Sequence, residues 1–402
     1  MLIVLFALAL PVPPLFAQGA ASERFQPDQL VVKLYRAADL GAITAKYPLS
    51  PTPISQFGTN PIYCLQITNG TSPLRLAAML ARDERVVYAE PNYINHIPED
   101  QVRSGWSTGF QDDTYQSQWA ETAMRLDEAH MMSRGQGVRV AVLDTGVDMT
   151  HAALQGRVSG GYDFVDLDND PSEEPGDTMG AYGHGTHVAG LILLAAPEAT
   201  IMPVRVLDSK GKGNIWVLAE ALRYAVDPDG NPTTDDGASI INLSLSTPSR
   251  SRMIEDVLGK VTCYKPKTQS RICRRDVLVV AAAGNSGNNT REYPAAFELP
   301  SLIAVGASTP ENTLASFSTN GPWIDVAAPG ESIWSTIPGG FAPWSGTSMS
   351  APLVAGEAAL LRAVAPELSA REIAARITAS AAPMRNRFFG RADAATALAR
   401  IK

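Results

Sequence analysis

The sequence predicts an α/β protein: a doubly wound, mostly parallel sheet with helices on both faces, preceded by a small α+β domain of ferredoxin-like order. Three observations carry this expectation. Short apolar runs recur at 138–143, 202–207, 240–245, 277–283 and 302–305, as in strands covered on both faces. Helical stretches, notably Asn214 to Ala225 and Met349 to Val364, alternate with these runs, and alternation implies parallel strands. Upstream, the pattern is shorter and mixed. Leu30 to Tyr35 and Ile62 to Ile67 alternate like strands, Ala37 to Ala45 and Leu74 to Ala81 are helical, and Val86 to Ala89 is a strand ending at Pro91.

A chain of 402 residues with 45% hydrophobic and 18% charged residues can build a large core, which excludes wholesale disorder. The net charge of -8 argues against a nucleic-acid partner, and three cysteines exclude a disulfide scaffold or a four-cysteine zinc site. Met1 to Ala17 is apolar, but Pro11, Pro13 and Pro14 cut the run too short to span a bilayer. It reads as a signal peptide over 1–19, with small residues at Ala17, Gly19 and Ala20 for cleavage, and no later stretch reads as a membrane span. The remaining divisions are a small domain at 27–97, a polar linker at 98–115 and a large α/β domain at 116–402.

Four segments carry chemistry. The run Val138 to Leu143 leads into Asp144-Thr145-Gly146, which places a carboxylate at the carboxyl edge of a strand. Alone, Asp144 is more often a turn or capping residue. An aspartic protease would need a second such carboxylate, and no second Asp-Thr-Gly or Asp-Ser-Gly occurs. Gly183-His184-Gly185-Thr186-His187 follows, with glycines leaving the ring of His184 open. His184 and His187 share a helix face, so zinc is the rival reading, without a His-Glu-x-x-His pattern to support it. Ser348, in Ser345-Gly346-Thr347-Ser348-Met349, stands where a helix begins and free N–H groups favour an anion, with Pro352 fitting its first turn; its bland reading is a helix cap. Gly284-Asn285 ends the apolar run before it, and Asn285 is either a turn residue or an amide donor to a developing oxyanion.

Together, in the order Asp, His, Ser, which is also that of subtilisin, these segments resemble the subtilisin-like serine proteases over about residues 115–402. The resemblance implies a secreted endopeptidase, extracellular or periplasmic, working as a monomer on protein or peptide substrates with no cofactor in its chemistry. Asp144 would orient His184, His184 would be the base, Ser348 the nucleophile, and Asn285 an oxyanion donor. It also implies a substrate cleft edged by Gly211-Lys212-Gly213 and by Ser244-Leu245-Ser246, with Gly284 beside it and Ile215 and Leu218 lining an apolar subsite. Ser246 stands where the family usually has glycine, so it is expected to narrow the primary pocket. The 27–97 domain resembles the family's inhibitory propeptide, removed by self-cleavage between about His96 and Gln116.

The stretch from Asp163 to Asp177 holds seven acids and no base. Dense oxygen ligands suit Ca2+, and the resemblance to thermitase-like subtilases implies Asp163, Asp166, Asp168 and Asp170 as ligands of a structural ion. Cys263 and Cys273 bracket an apparent insertion and would pair in an oxidising compartment, while Cys64 would leave with the propeptide. Met349, beside Ser348, should make activity sensitive to peroxide.

Overall fold

The computed structural model describes residues 24–101, 112–175, 180–231, 233–263 and 276–401. The expected signal segment, most of the linker and Cys273, with its expected disulfide, lie outside the described residues.

The N-terminal unit is β1 (Phe25–Leu34), α1 (Leu40–Lys46), β2 (Ser55–Gln56), β3 (Ile62–Gln66), α2 (Pro73–Leu80) and β4 (Val86–His96). Its antiparallel strands lie in the order β2-β3-β1-β4. Period-two alternation gives this sheet two buried faces. Leu30, Val32 and Leu34 pack with Ile43, Leu76 and Leu80 of the unit's own helices, while Val31, Cys64 and Tyr88 face the other way into a shared core. β4 does not stop at Pro91 as the sequence predicts. The ladder is irregular between Leu30↔Pro91 and Phe25↔Tyr93, which absorbs the missing proline donor, and the chain then finds partners outside its own unit.

The large unit opens with α3 (Asp112–Gln116), α4 (Trp119–Met124) and α5 (Leu126–His130). There follow β5 (Arg139–Asp144), β6 (Tyr162–Asp163), α6 (His184–Ala195), β7 (Thr200–Arg205), β8 (Lys212–Asn214), α7 (Ile215–Val226), β9 (Ile240–Leu243), α8 (Arg252–Val261) and β10 (Leu278–Ala282). The chain closes with β11 (Leu302–Ser308), β12 (Val326–Pro329), β13 (Ile333–Ile337), β14 (Gly340–Trp344), α9 (Thr347–Val364), α10 (Ala370–Ser380), β15 (Ala382–Pro383), β16 (Gly390–Arg391) and α11 (Ala394–Ala399). The main sheet runs β15-β16-β12-β11-β10-β9-β5-β7-β6, parallel throughout except for the β15–β16 pair. The chain enters at β5, builds one side through β6 and β7, and then crosses to β9 and beyond. The order therefore reverses between β5 and β9, the point at which open α/β sheets hold ligands.

Each central strand feeds both cores. Val140 and Val142 of β5 and Val280 of β10 pack with α6 and α9, whereas Ala141, Leu143 and Val279 pack with α7 and α8. The N-terminal unit docks on this second layer. Phe57 meets Trp216 edge-on at 6.3 Å, and Lys33 pairs with Asp256 of α8. Helix N-termini leave backbone N–H groups without partners, and the docked strand supplies acceptors. Glu90, buried in the interface, accepts from Ser251 Oγ (2.8 Å), Arg252 N (2.8 Å) and Met253 N (3.0 Å) at the start of α8. Asn92 Oδ1 accepts from Trp216 N of α7 at 3.2 Å. Among the described residues no helix is long and apolar enough to cross a membrane.

Removing the Glu90 acceptor strands three donors at a buried helix start. In the full chain carrying Ser348→Ala, Glu90→Ala should lower stability by about 3 kcal/mol. Thermal unfolding is the check; an unchanged midpoint would mean that the contact does not hold the units together.

Candidate active site

β5 ends at Asp144, and Gly146 turns the chain at φ +108. A Cβ on Gly185 would collide with the Gly146 carbonyl, so glycine there lets α6 begin directly against the end of β5. His184, the first residue of α6, thereby brings Nδ1 within 2.6 Å of Asp144 Oδ1, which also accepts from Thr145 N at 2.8 Å. Both side chains are fully buried. His187 takes no part. Its ring stacks on Trp344 at 4.8 Å, its Nε2 lies 3.0 Å from the Ala342 carbonyl, and burial pulls its pKa down to about 3. The two histidines therefore serve different ends, and no zinc pair forms.

α9 begins at Thr347, two residues earlier than predicted, with Ser348 in its first turn. Pro352 consequently lies beyond the first turn, where its missing N–H leaves the Ser348 carbonyl without its intrahelical donor. Ser244 Oγ donates to that carbonyl instead, at 3.1 Å. This proline–serine exchange ties the start of α9 to the tail of β9. Asn285 is oriented by the same helix start. Its Oδ1 accepts from Thr347 N and Thr347 Oγ1, each at 2.9 Å, which fixes the amide with Nδ2 pointing into the cleft. Thr347 Oγ1 also accepts from Gly284 N at 3.1 Å.

The end of β4 lies along the cleft as an added strand. Ile94, Asn95 and His96 pair antiparallel with Asn214, Gly213 and Lys212. On the other side His96 N donates to Ser246 O (3.0 Å) and Ser246 N to His96 O (2.8 Å), while Ile97 N donates to Gly211 O at 3.0 Å. Ile215 and Leu218 line a hollow with Ile254, Tyr293 and Phe297, and Asn95 reaches it. The chain then turns at Pro98, and the Glu99 carboxylate enters the site. Ser348 Oγ donates to Glu99 Oε2 at 2.8 Å, His184 Nε2 lies 3.2 Å from the same oxygen, and Asn285 Nδ2 donates to Glu99 Oε1 at 3.0 Å. Burial pulls the His184 imidazolium down, but the carboxylates of Asp144 and Glu99 outweigh it and push its pKa up to about 10.

Ser246 does not stand free at the cleft mouth; its Oγ donates to Glu292 Oε2 at 2.6 Å. A further carboxyl, Glu173, caps the start of α6. It accepts from Gly185 N and Thr186 N, both at 3.3 Å, and from the hydroxyls of Thr145 and Thr186. Desolvation and the nearby Asp144 raise its pKa to about 7, against the opposing threonine hydroxyls.

The expected calcium ligands do not converge. Arg205 of β7, itself buried, pairs with Asp163 at 2.6 Å and with Asp166, and reaches Glu174 at 2.9 Å. Asp163 Oδ1 accepts from Val165 N and Asp166 N. Asp168 Oδ1 and Asp170 Oδ1 accept from Asp170 N and Ser172 N, each bonding its own loop. At Asp163 and Asp166 a guanidinium about forty residues away in the chain meets the negative charge, which no local acidic pattern reveals. The roles of Thr347, Glu99, Glu173 and Glu292 were likewise missed: each acts through a contact with a distant segment, and although Thr347 lies inside the serine motif, nothing local shows that it orients Asn285.

Residues 135–395 match the subtilase family. The chain is 40% identical over 291 residues to the thermophilic serine proteinase of Bacillus sp. (strain AK1), covering 69% of this chain and 63% of that protein. It is 36% identical to thermitase of Thermoactinomyces vulgaris, covering 61% of this chain and 81% of thermitase. Fervidolysin from Fervidobacterium pennivorans shares the fold with a TM-score of 0.73 at 22% identity, over 94% of this chain and 62% of that one.

With Glu99 seated, His184 stays protonated at neutral pH, since a raised folded pKa keeps the proton until pH rises through about 10. In full-length Ser348→Ala protein, NMR of the imidazole nitrogens should show this high titration, and Glu99→Gln should shift it downward. Titration near 7 in both proteins would contradict the electrostatics drawn here.

Proposed function

The chain belongs to the subtilase family of serine endopeptidases, and from that premise we propose that it hydrolyses peptide bonds in proteins through Ser348, His184 and Asp144. The observation that carries this reading is the convergence of Ser348 Oγ, His184 Nε2 and Asn285 Nδ2 on one carboxylate. Donors gathered around an anion beside a hydroxyl and an imidazole are what acyl transfer requires.

Substrate enters as a strand between Gly211–Gly213 and Ser244–Ser246, held by main-chain hydrogen bonds, with one side chain in the hollow at Ile215 and Leu218. Neutral His184 takes the Ser348 proton as Oγ attacks the carbonyl carbon. The developing oxyanion is held by Asn285 Nδ2 and by the Ser348 N–H, free at the start of α9. Asp144 remains ionised, keeps the Nδ1–H tautomer and stabilises the imidazolium. His184 then passes its proton to the leaving amine, and water repeats the sequence on the acyl-enzyme. No cofactor enters this chemistry, and with Asp163 and Asp166 held by Arg205 the proposal places no calcium on them.

The N-terminal unit is read as an inhibitory propeptide of an exported, monomeric enzyme, removed by self-cleavage. It fills the cleft as a strand, yet at Pro98 it turns aside and offers a side-chain carboxylate in place of a scissile carbonyl. Glu99 also holds His184 as an imidazolium, which cannot accept the serine proton.

Wild type should react with a fluorophosphonate and hydrolyse casein, and Ser348→Ala should do neither. Asn285→Ala should lower kcat by about 10²–10³ with little change in KM, the scale for one oxyanion donor and one established on subtilisin itself. Undiminished labelling of Ser348→Ala would overturn the assignment.

A further inference from the structure

Resting on that endopeptidase reading, the structure assigns a specificity: we infer that Glu292 selects substrates with lysine or arginine immediately before the cleaved bond. The argument begins at the tails of two parallel neighbours, β9 and β10. Past their carboxyl ends lie Ser244–Ser246 and Ala283–Asn285, and Glu292 touches both segments, at Ser246 and at Gly284. Its Oε2 accepts from Ser246 Oγ at 2.6 Å and its Oε1 from Thr319 Oγ1 at 3.3 Å. Its carboxylate also lies flat against Gly284, where φ is +99 and a Cβ would collide with it.

The register of β4 shows which substrate residue lies beside this carboxylate. His96 pairs with Ser246, Ile97 N meets Gly211 O, and two residues further on the Glu99 carboxylate reaches Ser348 and Asn285. A substrate in the same register places the residue before its scissile bond beside the Ser244–Ser246 segment. Side chains alternate along an extended chain, so this residue points away from the Ile97 side, toward Glu292.

Glu292 is 9% exposed, and among the described residues no Lys, Arg or His pairs with it. Its neighbour Arg291 turns away to Glu298 and the face of Trp323. Two hydroxyl donors leave unused lone pairs on both carboxylate oxygens. A desolvated carboxylate without a counter-charge is costly, and a substrate cation relieves that cost. A lysine or arginine carries its charge at the end of a long apolar stem, which lets it pass Ser246 and reach this carboxylate. Aromatic and acidic side chains meet the carboxylate instead. The residue that the N-terminal unit presents here is Pro98, which carries no cation, in keeping with a segment bound as an inhibitor.

The test is kcat/KM for purified wild type and Glu292→Gln on tetrapeptide anilides that differ only in the last residue: Lys, Arg, Phe, Leu or Glu. Fluorophosphonate labelling is measured in parallel. Wild type should favour Lys or Arg over Phe by at least about tenfold, and Glu292→Gln should reduce that ratio by a similar factor, while Glu292→Asp retains part of it. Labelling with a preference for Phe or Leu in wild type overturns the specificity and leaves the protease reading standing. A ratio unchanged in Glu292→Gln assigns the preference elsewhere and also overturns it. Absence of labelling in wild type overturns the protease reading, and the specificity with it.

Discussion

A parallel sheet points every strand's carboxyl end the same way, and this constraint assembles the whole site. Asp144 ends β5, Ser244 follows β9 and Asn285 follows β10, so three functional side chains reach one edge although they are far apart in sequence. Helices that return from that edge begin there, which brings His184 at the start of α6 and Ser348 at the start of α9 to the same place. The starts of α7 and α8 lie along this edge as well. Their unpaired N–H groups receive Asn92 and Glu90 from the N-terminal unit. One topological fact thus brings together the proposed triad, the proposed oxyanion donors and the docking ground for the segment that covers them.

The same edge concentrates negative charge. Asp144, Glu99, Glu173 and Glu292 all converge near it: Asp144 on the His184 imidazole, Glu99 on Ser348, His184 and Asn285, Glu173 on the start of α6 with two threonines, and Glu292 on Ser246 and Thr319. Only the first was visible in the sequence, because it ends an apolar run and is followed by a glycine turn. The others were silent. Glu99 lies in a polar stretch that reads as linker, Glu173 in a run of acids that reads as a calcium loop, and Glu292 between an arginine and a tyrosine in no recognisable pattern. Their roles exist only once β4 enters the cleft, α6 abuts β5 and the tails of β9 and β10 diverge.

The fold was legible for a simple reason. Short apolar runs without alternation, set between longer helical stretches, read as strands buried on both faces, and glycines at 146 and 185 mark backbone approaches that no side chain would survive. Pro91 misled, since proline ends a strand only where the ladder needs its donor, and here a ladder irregularity removed that need. Arg205 misled in the opposite sense. A cation on a neighbouring strand answered the acidic loop, and strand adjacency across forty residues is not written in local composition.

The central claim is that this edge is an active site silenced by its own N-terminal unit until that unit is cut away by Ser348. Intact mass with N-terminal sequencing of purified wild type beside Ser348→Ala tests it directly. Wild type should lose about a hundred residues, a domain-sized piece, and Ser348→Ala should remain uncut. Loss of the same piece from both proteins would assign the cleavage to another protease, and two proteins that both retain the unit would contradict self-maturation.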